Sequence, residues 1–170
     1  TEKQLNELRI GWDLILDIDS KYLDYSKILA QLIIRVLKFY GVNNIGVKFS
    51  GSKGFHIIVP WKAFPKEINN VKTSEMFPAW PRILTQFIME ACKDDLAKKI
   101  TGTIEKKEYQ SIKKYIKGDE TSGDFVKKVM PDLILVSPRH LFRMPYSLHE
   151  KTSLASVPLD SNEIENFQPK

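Results

Sequence analysis

Residues 12–19 read WDLILDID, an apolar run that turns acidic at its end. Such a run predicts a buried strand whose last residues reach solvent. Side chains alternate between the two faces of a strand, so Asp17 and Asp19 stand side by side on one face. Asp13 falls on the same face further back. Two carboxylates this close repel each other, and the end of a buried strand is an unfavourable place for both to be charged. A bound divalent cation removes that penalty, and an oxygen-rich site suits Mg²⁺ or Mn²⁺ rather than zinc. On these residues alone, a strand that ends at Ile18 with solvated acids stands as the alternative.

The remaining pattern predicts one compact α+β domain. Ile28, Leu29, Leu32, Ile33, Val36, Leu37 and Tyr40 follow helical spacing, and Gly41 is placed to stop the helix. Residues 45–49 and 55–59 read as two strands around the loop SGSKG, a hairpin. Residues 60–77 look irregular. A second helix is expected from about Trp80 to Lys99, with Trp80, Ile83, Leu84, Phe87, Ile88, Ala91 and Leu96 as its apolar stripe. Residues 101–130 are lysine-rich and predict a short helix followed by a mobile turn. Leu133–Val136 and, more weakly, Leu154–Leu159 read as strands. Residues 161–170 lack periodicity and read as a loose tail, leaving residues 1–160 as the core. Strands outside regular βαβ alternation point to a mixed, largely antiparallel sheet with flanking helices.

Composition narrows the function classes. The 170 residues carry a net charge of +5 and are 42% hydrophobic, a globular composition that permits a polyanionic partner. No apolar stretch approaches the roughly 20 residues that a membrane span needs. The lone cysteine, Cys92, excludes a multi-cysteine zinc site within these residues and suits a reducing compartment.

Two further segments carry phosphate-binding chemistry. In KFSGSKGFH, residues 48–56, glycines permit tight turns and close approach to a ligand, while hydroxyls, amides and Lys53 supply donors. His56 alternates with Phe55 and Ile57, so it faces away from them. An ordinary Ser/Gly hairpin turn with a half-buried histidine is the plainer reading. Residues 139–152, RHLFRMPYSLHEKT, interleave basic and hydroxyl groups with the apolar anchors Leu141, Phe142, Met144 and Leu148. All three histidines, His56, His140 and His149, lie in these two segments, and His140 reads as a packing residue. A solvated basic edge is the plainer alternative.

Taken in order, the segments resemble the signature motifs of the archaeo-eukaryotic primases. LILDIDS resembles their hhhDhD motif, and FSGSKGFHI is similar to S-G-x-x-G-x-H, with Lys53 where arginine is usual. PDLILVSPRHLFRMPYSLHEKTSLASVPLD resembles the block that carries an aspartate, L-x-R-x-P-x-S-L-H and K-T. Tyr146 and Ser153 stand where that pattern more commonly has glycine, and P-Y-S-L is similar to the polymerase domains of bacterial end-joining ligases. The resemblance implies an RRM-like primase catalytic core, trimmed or minimal in form, since the first motif begins so early and no zinc-binding cysteine cluster is present.

It also implies roles. Asp17, Asp19 and Asp132 match the metal-binding carboxylates for two divalent cations, Mg²⁺ or Mn²⁺, with no structural zinc. Ser50, Ser52, Lys53, Gly54 and His56 fall in the triphosphate loop, and Arg143 and His149 match the later phosphate contacts. Asp132 is preferred to Asp119 and Asp124 as third ligand because it abuts an apolar run, whereas the other two flank Gly123 in a polar turn. The implied activity is template-directed nucleotidyl transfer that makes primers on single-stranded DNA. A gap-filling or end-joining polymerase and a non-catalytic nucleic-acid-binding module are the alternatives. Single-stranded template and nucleoside triphosphates are the implied partners, with a primase large subunit as a further candidate. A cytoplasmic location is expected, nucleoid-associated if the source is archaeal or bacterial. Residues Lys106 to Lys128 read either as a template contact or as a solvated lysine face.

Overall fold

In a computed structural model of the protein, residues 8–107, 131–135 and 142–169 are described. The elements run β1 (Leu14–Asp19), α1 (Leu23–Phe39), β2 (Gly46–Phe49), β3 (Phe55–Val59), the short strands β4 (Glu67–Ile68) and β5 (Val71–Lys72), α2 (Ala79–Lys107), β6 (Asp132–Leu135) and β7 (Pro158–Leu159). The main sheet has the order β6-β1-β3-β2-β7, and every described pairing in it is antiparallel. With β6 as the fourth main strand, the order β-α-β-β-α-β is that of the split βαβ, ferredoxin-like arrangement. The expected α+β class holds, as does the β2–β3 hairpin.

Alternation decides which face is covered. Leu14, Leu16 and Ile18 of β1 are buried, as are Phe55, Ile57 and Val59 of β3 and Val47 and Phe49 of β2. They share a core with Leu29, Ile33 and Leu37 of α1 and Ile88, Cys92, Leu96 and Ile100 of α2. Fully burying such a side chain contributes roughly 1.5–3 kcal/mol. A one-residue slip of β1 would exchange Leu16 and Ile18 for Asp17 and Asp19 in that core, so the register is strongly specified. The even positions of β1 take the helices, and Ile15, Asp17 and Asp19 are left on the other face.

Gly41 ends α1 as expected, at φ +80, with Val42 N–H donating to Leu37 C=O at 2.9 Å. Several other expectations are corrected. Residues 60–77 contain two 3₁₀ turns and the β4–β5 hairpin, whose Asn69 and Asn70 both adopt positive φ. That Asn-Asn pair is the signature of a two-residue hairpin turn. The second helix continues to Lys107, and its buried face is Thr85, Ile88, Cys92, Leu96 and Ile100, while Trp80, Ile83, Phe87 and Ala91 are exposed. The segment after 160 is not loose. Ile164 is fully buried in the core and the Phe167 ring lies 4.9 Å from that of Phe49. Within Leu154–Leu159 only the last two residues form a strand.

The loop between β2 and β3 is pressed onto the end of β1. A Cβ added at Gly54 would lie 2.0 Å from the carbonyl oxygen of Ile18, so no side chain fits there. Gly54→Ala should therefore lower stability by about 1–3 kcal/mol, as overpacking does. Gly102→Ala in α2, where an added Cβ meets nothing within 4 Å, should raise it by up to about 1 kcal/mol. Urea denaturation of both variants checks the two signs. A Gly54→Ala protein as stable as its parent would contradict the close approach.

Candidate functional site

The face of the sheet turned away from α1 and α2 collects the polar groups. Register aligns Lys48 of β2 with His56 of β3, and His56 with Asp17 of β1. The next position outward holds Asp19, and Asp132 of β6 lies directly opposite it in the ladder. Cα atoms at directly opposed antiparallel positions are about 4.5–5.5 Å apart. The sequence-expected trio of aspartates is thus gathered at one end of two neighbouring strands. Only the backbone position of Asp132 is described. Among the residues whose side chains are described, no three metal-ligating groups cluster. Asp13 is not part of this set: its Oδ1 accepts the Trp61 amide at 2.6 Å. Asp119, Asp124 and His140 lie outside the described residues.

His56 is buried, with Nε2 3.3 Å from Asp17 Oδ1. Its Nδ1 is buried without a hydrogen-bond partner among the described residues. The neutral tautomer with hydrogen on Nε2 satisfies this geometry, because it donates to Asp17 and leaves only a lone pair unmatched. The Phe142 ring covers His56 at 4.9 Å between centroids. It also lies under the Lys48 ammonium, 3.8 Å from Nζ to the ring centre. Lys48 Nζ donates to the carbonyl of Arg143 as well. Lys48 was missed in the sequence. The signal was there, since alternation sets Lys48 opposite to Val47 and Phe49 and on the His56 side.

The loop 50–54 is organised by its own groups. Ser50 Oγ accepts the amides of Gly54 at 3.2 Å and Ser52 at 3.4 Å. Ser26 of α1, fully buried, donates to the Lys53 carbonyl at 2.6 Å. The Lys53 side chain is left exposed. The loop therefore holds Lys53 outward by fixing the backbone on both sides of it.

Residues 144–156 form a second small hairpin that docks on this loop. Tyr146 N–H donates to Ser156 C=O at 2.6 Å, Ser156 N–H to Ser147 C=O at 2.9 Å, and His149 N–H to Leu154 C=O at 2.9 Å. The buried Ser156 hydroxyl donates to Phe49 C=O at 2.8 Å, which ties the hairpin to β2. Gly51, at φ +92, packs where an added Cβ would lie 3.0 Å from His149 Cβ. The two phosphate-binding segments read from the sequence are thus in contact. His149 Nδ1 accepts the Lys151 amide at 3.2 Å, so the neutral ring carries its hydrogen on Nε2 and presents a donor. The Arg143 guanidinium is already engaged, at 2.9 Å from Leu148 C=O and 2.7 Å from Glu150 Oε2. The Glu150 backbone amide and Arg143 hold the Glu150 carboxyl below the usual carboxylate range.

Tyr146 and Ser153 adopt φ +65 and +59. A left-handed backbone costs a non-glycine residue roughly 1–2 kcal/mol, which is why glycine is favoured at both positions. Phe142 is an anchor as expected, whereas Met144 and Leu148 are exposed and anchor nothing. A separate apolar cleft of about 530 Å³, lined by Leu14, Leu37, Tyr40, Val59, Leu84 and Phe87, lies at the opposite end of β1 and β3 from the carboxylates. Its lining has no charge to hold a phosphate.

Burial, with Arg143 nearby, pushes the Lys48 ammonium down to about 8, and Asp17 partly offsets this. A lysine with a folded pKa below its ordinary 10.5 binds fewer protons folded than unfolded between those values. Its effect on stability is unfavourable below about pH 8 and is relieved as pH rises toward 10.5. Lys48→Met, which removes the charge, should therefore gain Tm relative to the parent at neutral pH and lose that relative gain in alkali. Thermal melts of both proteins across the window check this; a constant difference would mean that Lys48 titrates normally.

Comparison with known proteins accords with the site. The chain is 30% identical over 159 residues to Uncharacterized protein MJECS07 of Methanocaldococcus jannaschii, covering 93% of this chain and 31% of that protein. It therefore spans less than a third of that relative's length. The sequence model for the DNA primase small subunit matches residues 14–161, from the first residue of β1 to just beyond β7. With the match covering both aspartates, the β2–β3 loop and the docked hairpin, the chain belongs to the DNA primase small subunit family.

Proposed function

We propose that this chain performs template-directed nucleotidyl transfer, synthesising short primers on single-stranded DNA. The observation that carries the reading is the gathering of Asp17 and Asp19 on the sheet face turned away from α1 and α2, with Asp132 at the opposing register position, beside a loop and a hairpin rich in donors. Asp17 is half-buried and Asp19 exposed on that face, so among the described residues this end of it is within reach of a polyanionic substrate.

Asp17, Asp19 and Asp132 fit two divalent cations, Mg²⁺ or Mn²⁺, because all three donors are carboxylates at one end of adjacent strands. Cations held there would supply activation of the attacking hydroxyl and neutralisation of the triphosphate and the leaving pyrophosphate. The protein's own groups position the reactants. His56 fixes the orientation of Asp17 through Nε2. His149 offers its Nε2 hydrogen to a phosphate oxygen, and Lys53 offers an exposed ammonium. Ser50 and Gly54 keep the loop in the shape that presents them, with Ser52 adding its amide to the same turn. Arg143 reaches phosphate by exchanging Glu150, a carboxylate, for a second anion. Catalysis on this reading is mainly positioning and charge neutralisation.

Unprimed single-stranded DNA separates priming from repair synthesis. The reading expects de novo products, and extension of pre-annealed primers alone would move the chain to the gap-filling class.

Asp19→Ala should abolish incorporation while leaving the metal-free protein as stable as its parent or more so, since like-charge repulsion is relieved. Activity and metal-free Tm are measured together, and normal turnover would remove Asp19 from the site. His149→Ala should weaken triphosphate binding about tenfold to a hundredfold, the loss of one charge-assisted hydrogen bond, with nucleoside binding unchanged. Equal triphosphate affinity in the two proteins would remove His149 from the phosphate site.

A further inference from the structure

The outer side of the docked hairpin has no role in the chemistry described so far. Met144, Tyr146 and Leu148 are 71%, 72% and 66% exposed, whereas the alternating Ser147 and His149 are half-buried. Three large apolar side chains of this segment are therefore exposed, while its His149 and Thr152 meet the phosphate loop at Gly51. We propose that this side is a stacking surface for the bases of single-stranded nucleic acid, with Tyr146 as the ring on which a base lies. The inference rests on the nucleotidyl-transfer reading and names how the template or primer strand is held.

Backbone strain at Tyr146 is the first argument. Pro145 and Tyr146 are the central residues of a turn closed by Ser147 N–H to Met144 C=O at 3.2 Å. The second central residue, at φ +65, is where such a turn takes glycine. A tyrosine here opposes local preference, and its ring is too exposed to repay the strain by burial. A residue that breaks a local rule without a structural gain marks a functional position.

Rigidity and surroundings supply the rest. Tyr146 N–H and Ser156 N–H lock the turn across the hairpin, and the Ser156 hydroxyl locks the hairpin to β2. The ring is thus presented on a fixed frame, which lowers the ordering penalty on binding. Arg143, His149 and Lys151 belong to the same short segment, and Lys53 lies on the loop it contacts. An aromatic ring carried on the same segment as such phosphate-binding donors is the combination that holds single strands: phosphates on the donors, bases on the ring.

The test is fluorescence anisotropy with labelled oligodeoxythymidine and with an abasic oligonucleotide of equal length. It compares the parent, Tyr146→Gly and Tyr146→Phe, across a salt series. Tyr146→Gly relieves the strained φ, so it should melt no lower than the parent. It should bind oligodeoxythymidine about fivefold to a hundredfold more weakly, with the salt slope unchanged because no phosphate contact is lost. Binding to the abasic strand should be the same in all three proteins, and Tyr146→Phe should match the parent on both. Equal affinity of parent and Tyr146→Gly for oligodeoxythymidine would overturn the stacking role alone. An equal loss on the abasic strand would do the same. A parent that binds neither strand would overturn both this role and the nucleotidyl-transfer reading.

Discussion

Two carboxylates held two residues apart on one strand repel each other, and the fold keeps them together by making any other register worse. Leu14, Leu16 and Ile18 are buried against α1 and α2, and the same alternation that satisfies them holds Asp17 and Asp19 on the opposite face. The hydrophobic term is several times larger than the repulsion between partly solvated acids. The acid pair is therefore a passenger of the core, placed by its neighbours in sequence. Within the fold Asp17 meets His56 Nε2 at 3.3 Å, and on the proposed reading a bound cation relieves the remaining repulsion.

Beside that pair, the β2–β3 loop and the later hairpin are braced by their own contacts. Gly54 lets the β2–β3 loop approach the Ile18 carbonyl, and Ser26 holds the loop by the Lys53 carbonyl. Ser156 fastens the later hairpin to Phe49, and Gly51 lets His149 close on the loop. Lys48 and Phe142 join the two layers by an ammonium-on-ring contact. Segments about a hundred residues apart in the chain thus brace one another, and on the proposed reading this is the preorganisation that the transfer relies on.

Local signals carried most of what was legible in the sequence. The alternation in LILDID, the S-G-S-K-G loop between two β-runs and Gly41 after a helical stripe each name their structure with nearest-neighbour physics, and each is found in place. Contacts distant in sequence were not legible. Ile164 and Phe167 lie in a polar, aperiodic stretch, yet they fill the core beside Phe49 because α1 receives that segment, with Lys27 Nζ donating to Glu165 C=O. The face of α2 was misjudged because Trp80, Ile83 and Phe87 give a convincing stripe. The packing instead selects the i, i+4 line through Ile88, Cys92, Leu96 and Ile100. For the site, the positions of Asp17, Asp19 and His56 followed from strand period alone. The bracing of Arg143 by Glu150 and the burial of Lys48 did not, because each depends on where the hairpin docks.

Whether the carboxylates act as a cation site is the point on which the function turns. Crystals soaked with a nucleoside triphosphate and Mn²⁺ answer it through the anomalous signal of manganese. The expected result is strong anomalous density bounded by Asp17, Asp19 and Asp132, with the triphosphate running from it toward Lys53 and His149. Density only at other acidic residues, or triphosphate bound without manganese at the Asp17–Asp19 pair, would contradict a catalytic site at this end of the sheet.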